Sequence, residues 1–126
     1  MGGGEDGARR LPRVRRITRS REIRTLFQRG KRSRTAHLDV FDSASPYAYS
    51  RVVAVVPKHR HSAVERNVVK RRLREVLRTV VLPGLDRRGL GVDVLVRARR
   101  EAYDASFAAL VEELSEWLDR RCSRGA

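Results

Sequence analysis

Apolar positions recur at helical spacing early in the chain. Ile23, Leu26 and Phe27 stand at i, i+3 and i+4, with Ser20 ahead of them as a capping residue and Gly30 behind as a stop. This predicts a first helix from Ser20 to about Arg29. The KRSRT segment that follows carries no apolar period and reads as a basic link, whereas residues 37–41 (HLDVF) alternate as a strand does. Residues 43–50 hold Ser, Pro and Ala and read as a loop. Residues 51–56 (RVVAVV) are a β-branched run, which predicts a strand buried on both faces and ended by Pro57.

A long helix is expected from Ala63 to Val80, closed by Pro83 and Gly84, with a turn-rich connection from Leu85 to Gly91. Residues 92–98 (VDVLVRA) predict another strand. The last helix is expected from about Asp104 to Cys122, because Phe107, Leu110, Val111, Leu114, Trp117 and Leu118 form one apolar stripe. Its acids come first and its bases only from Arg120 onward, which suits the helix dipole. The order αββαβα, with helices free to cover one face of a small sheet, makes this an α+β fold. The domain is expected over residues 16–122. Residues 1–15, rich in Gly and Arg, read as a flexible basic arm, and residues 123–126 as a short tail.

Charge changes this picture from a generic small domain to one with a partner. The 126 residues fit one domain with one modest core, yet they carry 29 Lys+Arg against 15 Asp+Glu, a net charge of +14. Only Lys31, Lys58 and Lys70 are lysines; the rest of the excess is arginine, whose planar fork matches phosphate oxygens. A compact domain of this charge repels itself, which points to a polyanion, and nucleic acid first. Cys122 is the single cysteine, so no disulfide can form within the chain. No apolar run reaches the roughly 18 residues of a membrane span, and no signal-peptide centre is visible. No membrane partner is expected, and the cytoplasm is the expected compartment.

The central helix carries the sharpest signal. On a wheel of ~100° per residue, Val69, Leu73, Val76, Leu77 and Val80 share one arc. Arg66, Asn67, Lys70, Arg71, Arg74 and Arg78 share the next, while Val68, Arg72 and Glu75 lie on the remaining side. Cations spaced i, i+4 along one face destabilise a helix by a few tenths of a kcal/mol per pair. The chain has acids it could place there, since residues 101–119 hold six acids and no base. A basic face kept free of them is what phosphate binding requires, against the plainer reading of a solvated charged surface.

Ala63-Val64-Glu65-Arg66-Asn67-Val68-Val69-Lys70-Arg71, followed by Arg74, resembles the RNR signature of the bacterial ribonuclease P protein component. The strand leading to Lys58, the first helix with Phe27 and its terminal Gly30, and the strand from Asp93 to Arg99 resemble the corresponding parts of that family. The resemblance covers residues 16 to about 120. It implies the fold of the second domain of ribosomal protein S5, with a left-handed βαβ crossover that breaks the usual right-handed rule. It also implies contact between the signature helix and the catalytic RNA, through Arg66, Asn67, Lys70, Arg71 and Arg74, with Arg78 on the same arc. The family's cleft for the single-stranded 5′ leader of precursor tRNA maps onto Phe27, Ile23, Val55 and Lys58. An aromatic ring there can stack on a base, or serve as ordinary core beside Leu26. The RNA is expected to carry the chemistry with bound Mg2+, the protein to supply no catalytic residue and no metal ligand, and the two to pair 1:1. Departures stand at Val68, Ile23, His59 and His61, where the family more often has Arg, Phe, Lys and Gly.

Other readings compete with this one. A protein nuclease would use His37, His59 and His61, but no acid adjoins His59 or His61 in sequence to orient a ring. No Cys/His spacing matches a zinc site. A helix-turn-helix would need two short helices joined by a tight turn, where this chain has strand-like runs. A membrane-surface role would take the apolar arc that the core needs. A ribosomal protein fits the composition equally well and differs in the RNA it serves.

Overall fold

The computed structural model describes residues 10–125. The basic arm expected over residues 1–15 lies outside the described residues up to residue 9; beyond them Arg13–Arg15 form a 3-10 turn and Leu11 packs on the core. Ile17 then donates its N–H to the Val52 carbonyl at 2.9 Å, which ties this segment to the sheet edge.

Helix α1 spans Ser20–Arg29, as its pattern predicts. Gly30 follows as its cap, and no side chain fits there: a Cβ would lie 2.5 Å from the Leu26 carbonyl oxygen, to which the Gly30 N–H is bonded. Strand β1 (Lys31–Arg34) follows, then β2 (Leu38–Ala44), β3 (Arg51–Val55) and helix α2 (Ala63–Val76). A π-helical turn (Leu77–Val81) leads into helix α3 (Leu82–Arg87) and strand β4 (Val92–Ala98). A 3-10 turn (Arg100–Asp104) precedes helix α4 (Phe107–Gly125).

The sheet order is β1-β2-β4-β3. The β1–β2 and β2–β4 pairs are antiparallel, and β3 runs parallel to β4. Strands β3 and β4 with α2 and α3 between them form the βαβ unit that the resemblance implies. One sheet face carries Leu38, Val40, Val52, Ala54, Val94, Val96 and Ala98 and is sealed by α2, the π-helical turn, α3 and α4 through Leu73, Leu77, Leu85, Leu110 and Trp117. Asp42 is the polar exception on that face, and Arg121 of α4 donates to it at 2.9 Å. The other face carries Phe41, Leu95, Val53 and Val55 and is covered by α1, through Leu26, Ile23 and Phe27, together with Ile17 just ahead of that helix.

Four expectations are corrected. KRSRT is an edge strand and not a link, because β1 is held by its register against residues 39–42 of β2 and needs no apolar pattern of its own. Pro83 and Gly84 do not close the central helix: the π-helical turn resets the ladder, and Pro83 falls at the start of α3, where its missing N–H costs nothing. Gly84 is there because a Cβ would lie 2.2 Å from Leu118 Cδ2, so it lets α3 meet α4 closely. Helices lie on both faces of the sheet, since α1 takes the face opposite the other three. Helix α4 starts at Phe107 and not Asp104, and it continues past Cys122 into the expected tail.

Candidate nucleic-acid interface

The start of α2 is fixed by a capping box. The Glu65 N–H donates to Ser62 Oγ at 3.1 Å, and the Ser62 N–H donates to Glu65 Oε1 at 2.9 Å. The Ser62 backbone N–H, the His61 ring and the Ser62 hydroxyl together hold the Glu65 carboxyl down to about 2. Ser-x-x-Glu is legible in the sequence, and the reading above did not use it.

From that fixed start the helix lays its cations along two grooves. The first, of about 360 Å³, has an apolar floor of Ile23 and Val53 to Val55 and a cationic wall of Arg66, Lys70 and Arg74. Arg66 is held in place by donating Nε to the Val56 carbonyl at 2.7 Å. Burial, with the charges of Arg74 and Arg66 added, pushes the Lys70 ammonium below its usual value. The second groove, of about 330 Å³, gathers Arg10, Arg16, Arg71, Arg74 and Arg78, with Glu75 as its one acid. Arg78 pairs with that Glu75. Arg16 lines both grooves, and its Nε is buried with no hydrogen-bond acceptor. Asn67 is exposed on the same helix.

The leader-cleft residues do not all meet. Ile23 and Val55 share the first groove with the cations. Phe27 lies beside them, half-buried, edge-on to Phe41 with centroids 5.0 Å apart. Lys58 is exposed on the turn after β3 and lines neither groove.

The sequence reading missed three residues of this face. Phe41 is the partner ring of Phe27. Arg97 places its guanidinium 5.3 Å from the Phe27 centroid and 5.5 Å from that of Phe41, and donates to Asp39 at 3.0 Å. Arg51 is almost fully buried and donates to Asp93 at 2.7 and 3.0 Å and to Glu22 at 2.7 Å, which ties α1 to the sheet. The bonds from Asp93 outweigh burial and, with those from Glu22, raise the Arg51 pKa. Alternation along β2 and β4 puts Phe41, Leu95 and Arg97 on one face, but no spacing in the sequence announces that Glu22 meets Arg51.

The three histidines do not form one site: His37 pairs with Glu113 at the α4 side, whereas His61 pairs with Glu65 and stacks on Tyr103, against which His59 lies edge-on. Among the described residues no group of three or more His, Cys, Asp or Glu is placed to hold a metal ion, and no helix is long and apolar enough to cross a membrane.

Comparison with solved structures gives the class of fold. The RNase P protein from Thermotoga maritima matches with a TM-score of 0.71 at 26% identity, over 83% of this chain and 96% of that one. The RNase P protein of Staphylococcus aureus matches the fold with a TM-score of 0.71 at 22% identity, over 85% of this chain and 94% of that one. Sequence gives the family. The Ribonuclease P family model matches residues 11–121. The ribonuclease P protein component of Streptomyces avermitilis is 35% identical over 130 residues, 92% of this chain and 98% of the relative. The chain belongs to the ribonuclease P protein family, the protein components of a tRNA-processing ribonucleoprotein.

Proposed function

We propose that the protein docks on ribonuclease P RNA through α2 and holds the 5′ leader of precursor tRNA in the groove between α1, β3 and α2. It thereby assists endonucleolytic removal of the leader in the cytoplasm, as one protein per RNA subunit. The observation that carries this reading is the pairing of surfaces in one groove: an apolar floor at Ile23, Val53 and Val55 beside Arg66, Lys70 and Arg74. Single-stranded RNA has the same two sides, apolar base faces and a phosphate backbone, whereas a duplex hides the first.

The second groove, rimmed by Arg71, Arg78, Arg10 and Arg16, is the surface that supports docking on the RNA subunit. Each phosphate it neutralises releases counterions and adds about 0.7–0.9 to the salt slope of binding. Hydrolysis of the phosphodiester is assigned to the RNA and its bound Mg2+. The protein's part is to neutralise charge and to hold the strand in register.

The test is cleavage of a precursor tRNA by ribonuclease P RNA at low magnesium, with and without the protein. Strong stimulation that requires the RNA is expected. No stimulation, together with tight binding to an unrelated RNA, would overturn the reading in favour of a ribosomal role. Cleavage by the protein alone would overturn it in favour of a protein nuclease.

A further inference from the structure

Helix α1 lays one side on the sheet and shows the other to solvent. On a wheel of ~100° per residue, Ile23, Leu26 and Phe27 share the inward arc, whereas Arg21, Arg24, Gln28 and Arg29 lie outward and are exposed. The one acid of the helix, Glu22, is drawn to the buried Arg51 at 2.7 Å. The outer side is therefore left without a negative charge. Just past Gly30, the exposed Lys31 of the edge strand β1 extends the row.

These cations differ from arginines in the second half of the chain. Arg88, Arg97, Arg99, Arg120 and Arg121 each stand within 4.0 Å of a carboxylate. Arg21, Arg24, Arg29 and Lys31 have no ion-pair partner among the described residues. Arg21 and Arg24 are three apart, a spacing at which like charges destabilise a helix by a few tenths of a kcal/mol. A merely solvated face would gain from an acid there, and the chain exposes acids on α4 instead, at Glu112, Glu116 and Asp119. A face kept cationic in this way fits a polyanion.

The kind of polyanion follows from what the face lacks. Its remaining members are Gln28, an amide, and Thr25, whose hydroxyl is committed to the Arg21 carbonyl at 2.9 Å. The groove on the other side of α1 has an apolar floor that a splayed base can cover. The outer side has no ring and no apolar surface. It can grip phosphate oxygens and 2′-hydroxyls but cannot take a base. Base-paired RNA presents just those groups and hides its bases. From Arg21 to Arg29 the helix advances about 12 Å, a length over which a duplex offers several phosphates.

We propose that the outer face of α1 binds the backbone of a base-paired RNA segment, and that in the holoenzyme this segment is a hairpin lying upstream of the single-stranded leader. The substrate class is a precursor whose leader continues into folded RNA. This rests on the leader reading above, because α1 is the shared wall: Ile23 lines the groove from its inner side, and a strand leaving the groove across α1 reaches the cations on its outer side.

The test uses the reconstituted holoenzyme and three ligands: a precursor tRNA whose leader of about ten nucleotides continues into a hairpin, one of equal length with an unpaired leader, and mature tRNA. Arg21→Gln, Arg24→Gln and Arg29→Gln together remove charge and keep good helix formers. This variant is expected to weaken binding of the hairpin substrate about tenfold and to lower its salt slope by about two. Binding of the unpaired-leader substrate, of mature tRNA and of the RNA subunit should not change. Lysine at the same three positions should restore the slope, which a structural role of the arginines would not predict. Equal losses on both leaders, no loss on the hairpin substrate, or weaker binding of the RNA subunit would each overturn the assignment. The two readings fail separately. A wild type that binds the unpaired-leader substrate no better than mature tRNA would sink the leader groove. A wild type that prefers it, beside a triple variant that matches the wild type on the hairpin substrate, would sink only the duplex face.

Discussion

The two faces of the sheet are built from alternate residues of the same strands, and they do different work. In β4, Val92, Val94, Val96 and Ala98 turn toward α2, α3 and α4 and are buried in an aliphatic core. Asp93, Leu95 and Arg97 turn the other way. There they meet Arg51, Phe41 and Asp39, under a single helix that leaves Val53, Val55, Ile23 and Phe27 only half-covered. The first face is dry and sealed, and the fold depends on it. The second is apolar in the middle, charged at both ends and open along β3, and the proposed cleft depends on it. A period of two lets one short strand serve both, provided each register step keeps its side.

The comparison breaks most easily on the sealed face. Leu73 is fully buried there. Leu73→Ala is expected to cost about 2–5 kcal/mol, the transfer loss plus the cavity left behind, read by urea denaturation. RNA binding per folded molecule should be unchanged. A cost below about 1 kcal/mol would mean that the sealed face is loosely packed and that the contrast between the faces is overdrawn.

Phe27 tests the open face. Its ring is half-buried against Phe41, so Phe27→Ala should cost less stability than Leu73→Ala. Loss of base stacking, worth about 1–3 kcal/mol, should fall on precursor tRNA and spare mature tRNA. Equal loss of affinity for the two, joined to a stability cost like that of Leu73, would make Phe27 ordinary core and merge the two faces.

How much of this was legible before the structure follows the same division. Helix α1 and strands β3 and β4 were read to within about a residue of their bounds, because burial imprints a period and those elements are buried on at least one side. The cation arc of α2 was legible because segregation by face is itself a pattern. Strand β1 was not, since four exposed residues with sequence KRSR take their conformation from backbone pairing to β2. Pro83 and Gly84 misled because punctuation residues have more than one use: one starts α3 and the other makes room for Leu118. Val53 and Val55 were expected to be fully buried, yet no pattern within β3 says that a groove opens over one side of it. The split of α2 into two grooves depends on where Arg16 and Leu11 pass, and those lie about fifty residues away in sequence.

The smallest expected effect sharpens the comparison through charge. Asp39 is nearly buried on the open face, accepting from Arg32 at 3.2 Å and from Arg97 at 3.0 Å. Burial works against its charge, but the bonds from Arg97 and Arg32 more than offset this and hold the carboxyl below its usual 3.8. A carboxyl whose folded pKa lies below its unfolded one stabilises the protein fully above the unfolded value and ceases to do so as pH falls through the folded one. Asp39→Asn should therefore lower stability at neutral pH, and by the same amount at pH 5. The gap to the wild type should narrow only below pH 3.8. Denaturation of the two proteins across that range is the measurement. The sealed face gives the control, since the Leu73→Ala deficit involves no charge and should hold its size as the Asp39→Asn deficit shrinks. If the Asp39→Asn gap also persists unchanged to the lowest pH at which the fold survives, the paired charge is not what Asp39 contributes.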